Sequence, residues 1–274
     1  MSSSKQSIFD ILNRGSSETV RYAITFGEDG AFPIHELPDI NGFSSDELHT
    51  FKQNLEKHHD LICDIIDLHT NLIEPYASLP ECMASVLIIR NLIGTEGANQ
   101  MLLEQRKLKY NCIPQYSTQN LKKTKLIMTR SSRSTLHFSE SNTKSSISIS
   151  DVPFLNEFRN KLPLFFGKKA LNLNPKANCY HAQYGGIGYH GDSERNRVIC
   201  LTLGASMTLR YHWRLPNSIQ HELKPNDIIL RHGDVYIMSE KATGSDWKDL
   251  NIPRVVHAAG NAQYIGKSNS SLKT

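Results

Sequence analysis

Long hydrophobic runs are absent from this 274-residue sequence. No stretch approaches the roughly 18 apolar residues that a membrane-spanning helix needs. The polar start at residues 1–6 lacks the apolar core of a secretory signal. These absences predict an intracellular protein of the cytoplasm or nucleus, with no membrane span. The length allows one large domain or two small ones, with a sizeable core.

Cysteine is also sparse, and its spacing carries no metal-binding pattern. The five cysteines are an odd number and form no C-x-x-C pair, which argues against a disulfide framework and a zinc knuckle. A G-x-x-x-x-G-K-[ST] loop, a serine-centred nucleophile elbow and a protein-kinase signature are all missing. Acyl and phosphoryl transfer by those routes are therefore excluded.

Acidic residues are missing from one long segment. The formal net charge is only +4, but no Asp or Glu lies between Glu104 and Glu140. The basic residues of this segment are Arg106, Lys107, Lys109, Lys122, Lys123, Lys125, Arg130 and Arg133. The rings among them are Tyr110, Tyr116, His137 and Phe138. This pattern predicts a surface that follows nucleic-acid phosphates and stacks a base; a solvated connecting segment is the alternative.

The N-terminal part combines strand and helix patterns. Strands are predicted for the short apolar blocks at residues 20–26, 61–66 and 84–89. Helices are predicted over residues 95–108 and behind the capping-box pair Ser44 and Glu47. Residues 1–120 are therefore expected to form an α/β extension.

The C-terminal part has a different pattern of residue types. The serine-rich residues 129–150 predict a loop or a flexible hairpin, and Asp151 is expected to cap a helix with Pro153 in its first turn. From Lys176 onward, short apolar blocks alternate with glycine and proline turns at the spacing of an antiparallel sandwich or jelly roll. The predicted fold class is α+β, with residues 121–274 as a jelly-roll domain that begins with a basic loop region.

Two histidines and one aspartate form the most informative set of side chains. In an extended segment, residues i and i+2 project to the same side, so His190 and Asp192 can reach one ion. His257 is the expected third ligand. Two imidazoles and one carboxylate are the set that holds ferrous iron while leaving coordination positions open. The alternatives are surface turn residues for the first pair and a hydrogen-bonded core histidine for His257.

The flanking residues supply a family resemblance. The matching motifs, in chain order, are Asn178-Cys179-Tyr180 (N-x-Y), His190-Gly191-Asp192-Ser193-Glu194 (H-x-D and an acidic residue), Leu203-Gly204, residues 233–239 (G-D-x-x-x-M-S), His257, and residues 267–273 (the spacing of R-x-N-x-T-x-R). Over about residues 175–274 the chain therefore resembles the AlkB branch of the iron(II)/2-oxoglutarate dioxygenases, including AlkB-like proteins of large DNA viruses.

The resemblance implies a double-stranded β-helix and a set of cosubstrate-binding residues. It implies Fe(II), 2-oxoglutarate and O2 at the metal, with Lys267, assisted by Lys273 and Asn269, binding the far carboxylate of 2-oxoglutarate. Asn178 and Tyr180 would lie on the other side of the 2-oxoglutarate molecule. Lysine stands where the family has arginine, and it offers a point charge instead of a bidentate clamp. Which lysine forms the salt bridge stays open, and a solvated terminal lysine is the alternative.

The resemblance also implies a substrate. Glu194 would face a damaged base and accept a hydrogen bond from its exocyclic amine; a salt bridge to Arg195 or Arg197 is the alternative. Tyr189 is a candidate for the pocket wall. The predicted reaction is oxidative demethylation of an N-alkylated nucleobase in DNA or RNA, with the base single-stranded or flipped out. A protein side-chain hydroxylase and an inactive jelly-roll binding module are the alternatives.

Overall fold

A computed structural model describes residues 20–28, 41–112, 133–140, 146–182, 185–216 and 223–266. The strands are β1 (Val20–Gly27), β2 (Cys63–Asp67), β3 (Ser85–Ile89), β4 (Asn111–Cys112), β5 (Arg133–Ser139), β6 (Ser146–Ser148), β7 (Asn174–His181), β8 (Gly186–His190), β9 (Val198–Gly204), β10 (Met207–Arg214), β11 (Asn226–Leu230), β12 (Val235–Met238) and β13 (Arg254–Gly260). The α-helices are α1 (Ser45–His59), α2 (Gly94–Arg106), α3 (Pro153–Phe166), α4 (Glu240–Thr243) and α5 (Ala262–Ile265). Short 3-10 helices cover Leu68–Asn71, Tyr76–Ser78, Pro80–Cys82, Ile149–Asp151 and Lys168–Ala170.

The described strands form two largely antiparallel sheets. The main sheet has the order β2-β3-β12-β9-β1-β7-β5-β4, with β6 beside β5, and the second sheet has the order β11-β10-β13-β8. The mixed α+β class is confirmed, and the arrangement is consistent with a β-sandwich.

Strand β1 lies in the middle of the main sheet. It pairs antiparallel with β7 on one side and with β9 on the other. The main sheet therefore joins strands of the predicted N-terminal extension to strands of the predicted jelly-roll domain. The predicted boundary at residue 120 lies outside the described residues.

The two faces of the main sheet have different neighbours. On β1, Tyr22, Ile24 and Phe26 belong to a core that includes the inward residues of α1, α2 and α3. The opposite face of the main sheet packs against the second sheet, where Tyr211 and Trp213 lie in another core. Helices thus cover one face, while the other face is free to enclose a site between the sheets.

Several local predictions are confirmed. The Ser44 side chain accepts a hydrogen bond from Glu47 N, and the Glu47 carboxylate accepts one from Ser44 N, which closes the capping box of α1. The predicted blocks at residues 20–26, 61–66 and 84–89 correspond to β1, β2 and β3. The helix expected over residues 95–108 is α2.

Two local predictions are wrong. Within residues 129–150, β5 is a seven-residue strand paired with β7, and β6 runs parallel to β5, so the two strands do not form a hairpin. Leu136 and Phe138 bury one face of β5, which stabilises it despite the surrounding serines. Nor does Asp151 cap α3. The carboxylate of Glu104, from α2, accepts hydrogen bonds from Phe154 N and Leu155 N instead.

Among the helices of the described residues, none is both long enough and apolar enough to cross a bilayer.

Candidate metal centre

The pairing of β8 with β13 brings the two predicted histidine ligands together. His190 is the last residue of β8 and lies directly opposite His257 in the register. Their ring centroids are 4.6 Å apart. Asp192 follows two residues after His190, and one potential ligand atom from each of the three side chains lies within 4.8 Å of the others. The structure therefore assembles the three residues into one group that is able to hold a metal ion.

The loop after β8 positions Asp192. Asp192 N donates a hydrogen bond to Thr243 O at 2.9 Å, and Asp192 O accepts one from Arg195 N at 3.1 Å. Gly191 is in close contact with the turn after α4, since a Cβ atom there would lie 2.0 Å from Gly244 O. Only glycine allows this approach. The Asp192 carboxylate is thereby held 3.8 Å from His190 Nε2.

The orientation of the His190 ring is set by the backbone. Its Nδ1 lies 2.8 Å from Gly188 O. Because a carbonyl oxygen only accepts, Nδ1 is the donor in this contact, and Nε2 is the ring nitrogen on the side of Asp192. An outer hydrogen bond of this kind fixes the tautomer of metal-binding histidines.

The second histidine is deeply buried. His257 is 5% exposed, and its ring centroid lies 5.4 Å from that of Tyr211. Burial, and next the nearby His190, hold the pKa of His257 well below its usual range, so the ring is the neutral form that ligates metals. Its Nδ1 has no hydrogen-bond partner among the described residues. A core histidine retained for hydrogen bonding would have one.

A cavity of about 440 Å³ opens onto the three grouped side chains. Two of the predicted cosubstrate residues, Asn178 and Tyr180, line it, and so does Glu194. Asn178 Oδ1 accepts a hydrogen bond from Thr135 Oγ1 at 2.7 Å. Burial raises the pKa of Tyr180 to about 12, so its hydroxyl keeps its proton. The volume lies in the range typical of small-ligand sites.

The remaining predicted site residues lie elsewhere. Tyr189 is not among the described residues that line the cavity. Its hydroxyl donates to Ile265 O at 3.1 Å, and its ring contacts His212 edge-on. Because side chains alternate along a strand, Tyr189 lies on the opposite face of β8 from His190. Lys267, Asn269 and Lys273 lie outside the described residues.

Glu194 has a different partner from those expected. Its carboxylate lies 3.5 Å from Lys176 Nζ, with about half of the side chain exposed. The two arginines named as alternative partners both interact with Glu28. Arg195 Nε donates to the Glu28 carbonyl, and Arg197 Nε donates to the Glu28 carboxylate. Glu194 is therefore at the cavity wall, in a solvent-exposed ion pair that contributes little to the stability of the fold.

Arg21 is a cavity residue that sequence reasoning missed. It lines the same cavity, is 2% exposed, and donates hydrogen bonds to Ala205 O at 3.2 Å and Leu230 O at 3.1 Å. Burial lowers its pKa because the charged form is poorly solvated there. Alternation along residues 20–26 places Arg21 on one strand face with Ala23 and Thr25, but the sequence does not show which strands flank that face.

The three grouped side chains fit a divalent transition metal. Imidazole nitrogen and carboxylate oxygen are suitable ligands for several such ions. Three such ligands would leave other coordination positions of an ion open, and the cavity that these side chains line would give a small molecule access to it.

Comparisons with known proteins give limited information about this architecture. No family model matches the chain. An uncharacterized protein of Acanthamoeba polyphaga mimivirus is 38% identical to it over 117 residues, which are 42% of this chain and 44% of that protein. The aligned part thus spans less than half the length of the viral relative.

Proposed function

We propose that this protein is an iron(II)- and 2-oxoglutarate-dependent dioxygenase. The observation that carries the proposal is the convergence of His190, Asp192 and His257 on a cavity of about 440 Å³. The identity of the metal as iron and of the cosubstrate as 2-oxoglutarate is inferred from the resemblance of the surrounding motifs to the AlkB branch. When bound, the iron with O2 and 2-oxoglutarate would supply the oxidation of an unreactive C–H bond.

We interpret the core as a jelly roll, the double-stranded β-helix that such an enzyme requires. Strands β7, β9 and β12 lie in the main sheet, and β8, β10, β11 and β13 lie in the second. Together with β1, these make four neighbouring strands in each sheet, the number in an eight-stranded jelly roll. The ligand-bearing ends of β8 and β13 then lie between the sheets, where water is partly excluded.

The protein side chains have separate roles in this proposal. His190, Asp192 and His257 hold the iron, with His190 oriented by the Gly188 carbonyl. Asn178 and Tyr180 offer an amide and a hydroxyl to the cosubstrate from the facing sheet. The apolar parts of the lining, such as Leu209 and Met238, limit access of water to the reacting atoms.

An N-alkylated nucleobase is the proposed substrate. The cavity is lined by the basic side chains Arg133 and Lys176 together with His137, whose charge and hydrogen-bond donors suit a phosphate group of a nucleic acid. Glu194 is able to accept a hydrogen bond from an exocyclic amine of the base. A base can enter only if it is unstacked, so single-stranded or flipped nucleotides are favoured.

A turnover assay tests both parts of the proposal. With Fe(II), 2-oxoglutarate and O2, methylated single-stranded oligonucleotides are expected to stimulate release of succinate and formaldehyde, and His190→Ala or Asp192→Ala is expected to abolish it. Stimulation by peptides alone would indicate a protein hydroxylase. Absence of succinate release under all conditions would favour a binding module and would contradict the enzyme proposal.

A further inference from the structure

The cavity wall opposite the metal ligands is an ordered grid of side chains on three neighbouring strands. Strand β7 lies between β1 and β5, and the register places Tyr180 opposite Arg21 on one side and Arg133 on the other. All three residues line the cavity. The next row along the strands contains Ala23, Asn178 and Thr135.

The two arginines of this grid differ in how their charge is balanced. Arg133 hydrogen-bonds to the Tyr180 hydroxyl. Arg21 donates only to two backbone carbonyls, and among the described residues no carboxylate forms an ion pair with it. A guanidinium remains charged in proteins and offers five N–H donors. The Asp234 carboxylate, which is paired with Arg90, acts on Arg21 only from beyond ion-pair distance. A buried charge without a paired counter-ion is costly, so Arg21 is able to bind an anion that enters the cavity.

Arg21 and Asp192 of the candidate metal group both act on the same buried side chains. The buried thiol of Cys200 interacts with the charges of both Arg21 and Asp192. The same holds for Tyr236, which interacts with Arg21 and with Asp192. Both Arg21 and Asp192 line the same cavity. A small molecule with an anionic group at each end would therefore find the candidate metal group and the guanidinium in one cavity.

The position of β1 explains why this cation comes from the start of the chain. Strands β7 and β9 are not paired with each other, because β1 fills the place between them. The family resemblance implied that Lys267, assisted by Lys273, carries this cation. In the structure, the strand at the centre of the sheet is β1, and the cation that it presents to the cavity is Arg21.

We propose that Arg21 binds the distal carboxylate of 2-oxoglutarate, while the 2-oxo acid end of the cosubstrate faces His190, Asp192 and His257. This assignment rests on the proposed dioxygenase function. It gives the carboxylate a bidentate partner, which lysine cannot supply. It also gives the buried guanidinium the counter-ion that it lacks among the described residues.

A binding experiment without turnover tests the assignment. The full chain is loaded with Mn(II) and titrated calorimetrically with 2-oxoglutarate and with 2-oxopentanoate, which replaces the distal carboxylate by a methyl group. The wild-type protein is expected to prefer 2-oxoglutarate by about a hundredfold, the size expected from one charged hydrogen-bonded pair. Arg21→Met is expected to abolish this preference while leaving the affinity for 2-oxopentanoate unchanged.

Two further variants make the result specific. Arg21→Lys keeps the positive charge but not the paired N–H donors of the guanidinium, so it is expected to retain an intermediate preference. This variant also covers the case in which Arg21→Met does not fold. The double variant Lys267→Ala/Lys273→Ala is expected to keep the full preference. Mn(II) affinity and melting temperature are measured for each variant, because a purely structural Arg21 would lower the melting temperature without changing the preference.

The outcomes separate this inference from the proposed function. If the wild-type protein binds 2-oxoglutarate preferentially but Arg21→Lys and Arg21→Met keep that preference, the Arg21 assignment is wrong and the dioxygenase proposal stands. Loss of the preference in the lysine double variant alone would also overturn the assignment. If the Mn(II)-loaded wild-type protein binds neither 2-oxo acid, both proposals fail.

Discussion

Gly191 restricts the geometry of the candidate metal group although it has no side chain. It separates His190 from Asp192, and its backbone packs against the Gly244 carbonyl and the ring of Trp247. The ring is itself held by a hydrogen bond from Trp247 Nε1 to Ser193 Oγ at 3.2 Å. At the scale of single residues, the missing side chain of Gly191 is thus as important for the candidate site as the side chains of His190 and Asp192.

Gly191→Ala is expected to weaken metal binding without removing any ligand. The added methyl group would meet Gly244 O at 2.0 Å, so the loop has to shift, and such overpacking costs about 1–3 kcal/mol. Gly188→Ala is the matched control, because a Cβ atom there has no neighbour within 4 Å. Calorimetric Mn(II) titration and thermal unfolding of both variants check this. Equal behaviour of the two would show that the loop tolerates the displacement.

The residues of the site differ in how far the sequence could predict them. The spacing of two predicted that His190 and Asp192 lie together, but Asp192 is in the loop after β8, and its contact with Thr243 O positions it there. Arg21 was not predictable, because its role depends on which strands flank β1. Tyr189 was expected in the pocket wall as a neighbour of His190, but alternation along β8 places adjacent residues on opposite faces.

At the scale of elements, helix α3 depends on a side chain from another helix. Its N-cap residue, Val152, provides no side-chain hydrogen bond. The Glu104 carboxylate of α2 accepts the amide hydrogens of Phe154 and Leu155 in its place. A carboxylate at a helix N-terminus also interacts favourably with the helix dipole. This one residue therefore both caps α3 and fixes it against α2.

Glu104→Ala is expected to lower the free energy of unfolding by about 1–2 kcal/mol, the usual cost of losing an N-terminal cap. Glu157→Ala is the control, since Glu157 is exposed and forms only an ion pair with Lys161 within α3. Urea unfolding monitored by circular dichroism measures both. A loss for Glu104→Ala no larger than that for Glu157→Ala would mean that the cap contributes little.

The elements themselves were largely predictable, whereas their partners were not. The capping box of Ser44 and Glu47 and the apolar block of β1 are local patterns, so they were readable from the sequence. The cap of α3 and the strand β5 were missed because tertiary contacts decide them: Glu104 is distant in the chain from α3, and β5 is stabilised by pairing with β7. Local propensity does not contain this information.

At the scale of the whole molecule, the central position of β1 ties the start of the chain to the site. Strand β1 contributes Arg21 to the cavity and pairs with both β7 and β9. Removing it would leave two facing strand edges unpaired and expose the inner faces of both cores. The site therefore depends on residues that lie far before the ligands in sequence.

A fragment of residues 121–274, the predicted jelly-roll domain, is expected not to fold alone. It lacks β1, β2 and β3, which form a large part of the main sheet. A chain that starts at residue 18 is the matched control and is expected to fold. Size-exclusion chromatography, circular dichroism and Mn(II) binding compare the two. Cooperative unfolding and metal binding by the short fragment would show that the first 120 residues are a separable extension.

The most direct test of the central claim is the number of ferrous ions bound per chain under anaerobic conditions. Equilibrium dialysis is expected to give one Fe(II) per wild-type chain and none for His190→Ala, Asp192→Ala or His257→Ala at the same free concentration. His212→Gln should bind like the wild type, because His212 lies outside the group and its Nδ1 is near Trp213 O. Undiminished binding by the three ligand variants, or no binding by the wild-type chain, would contradict the account.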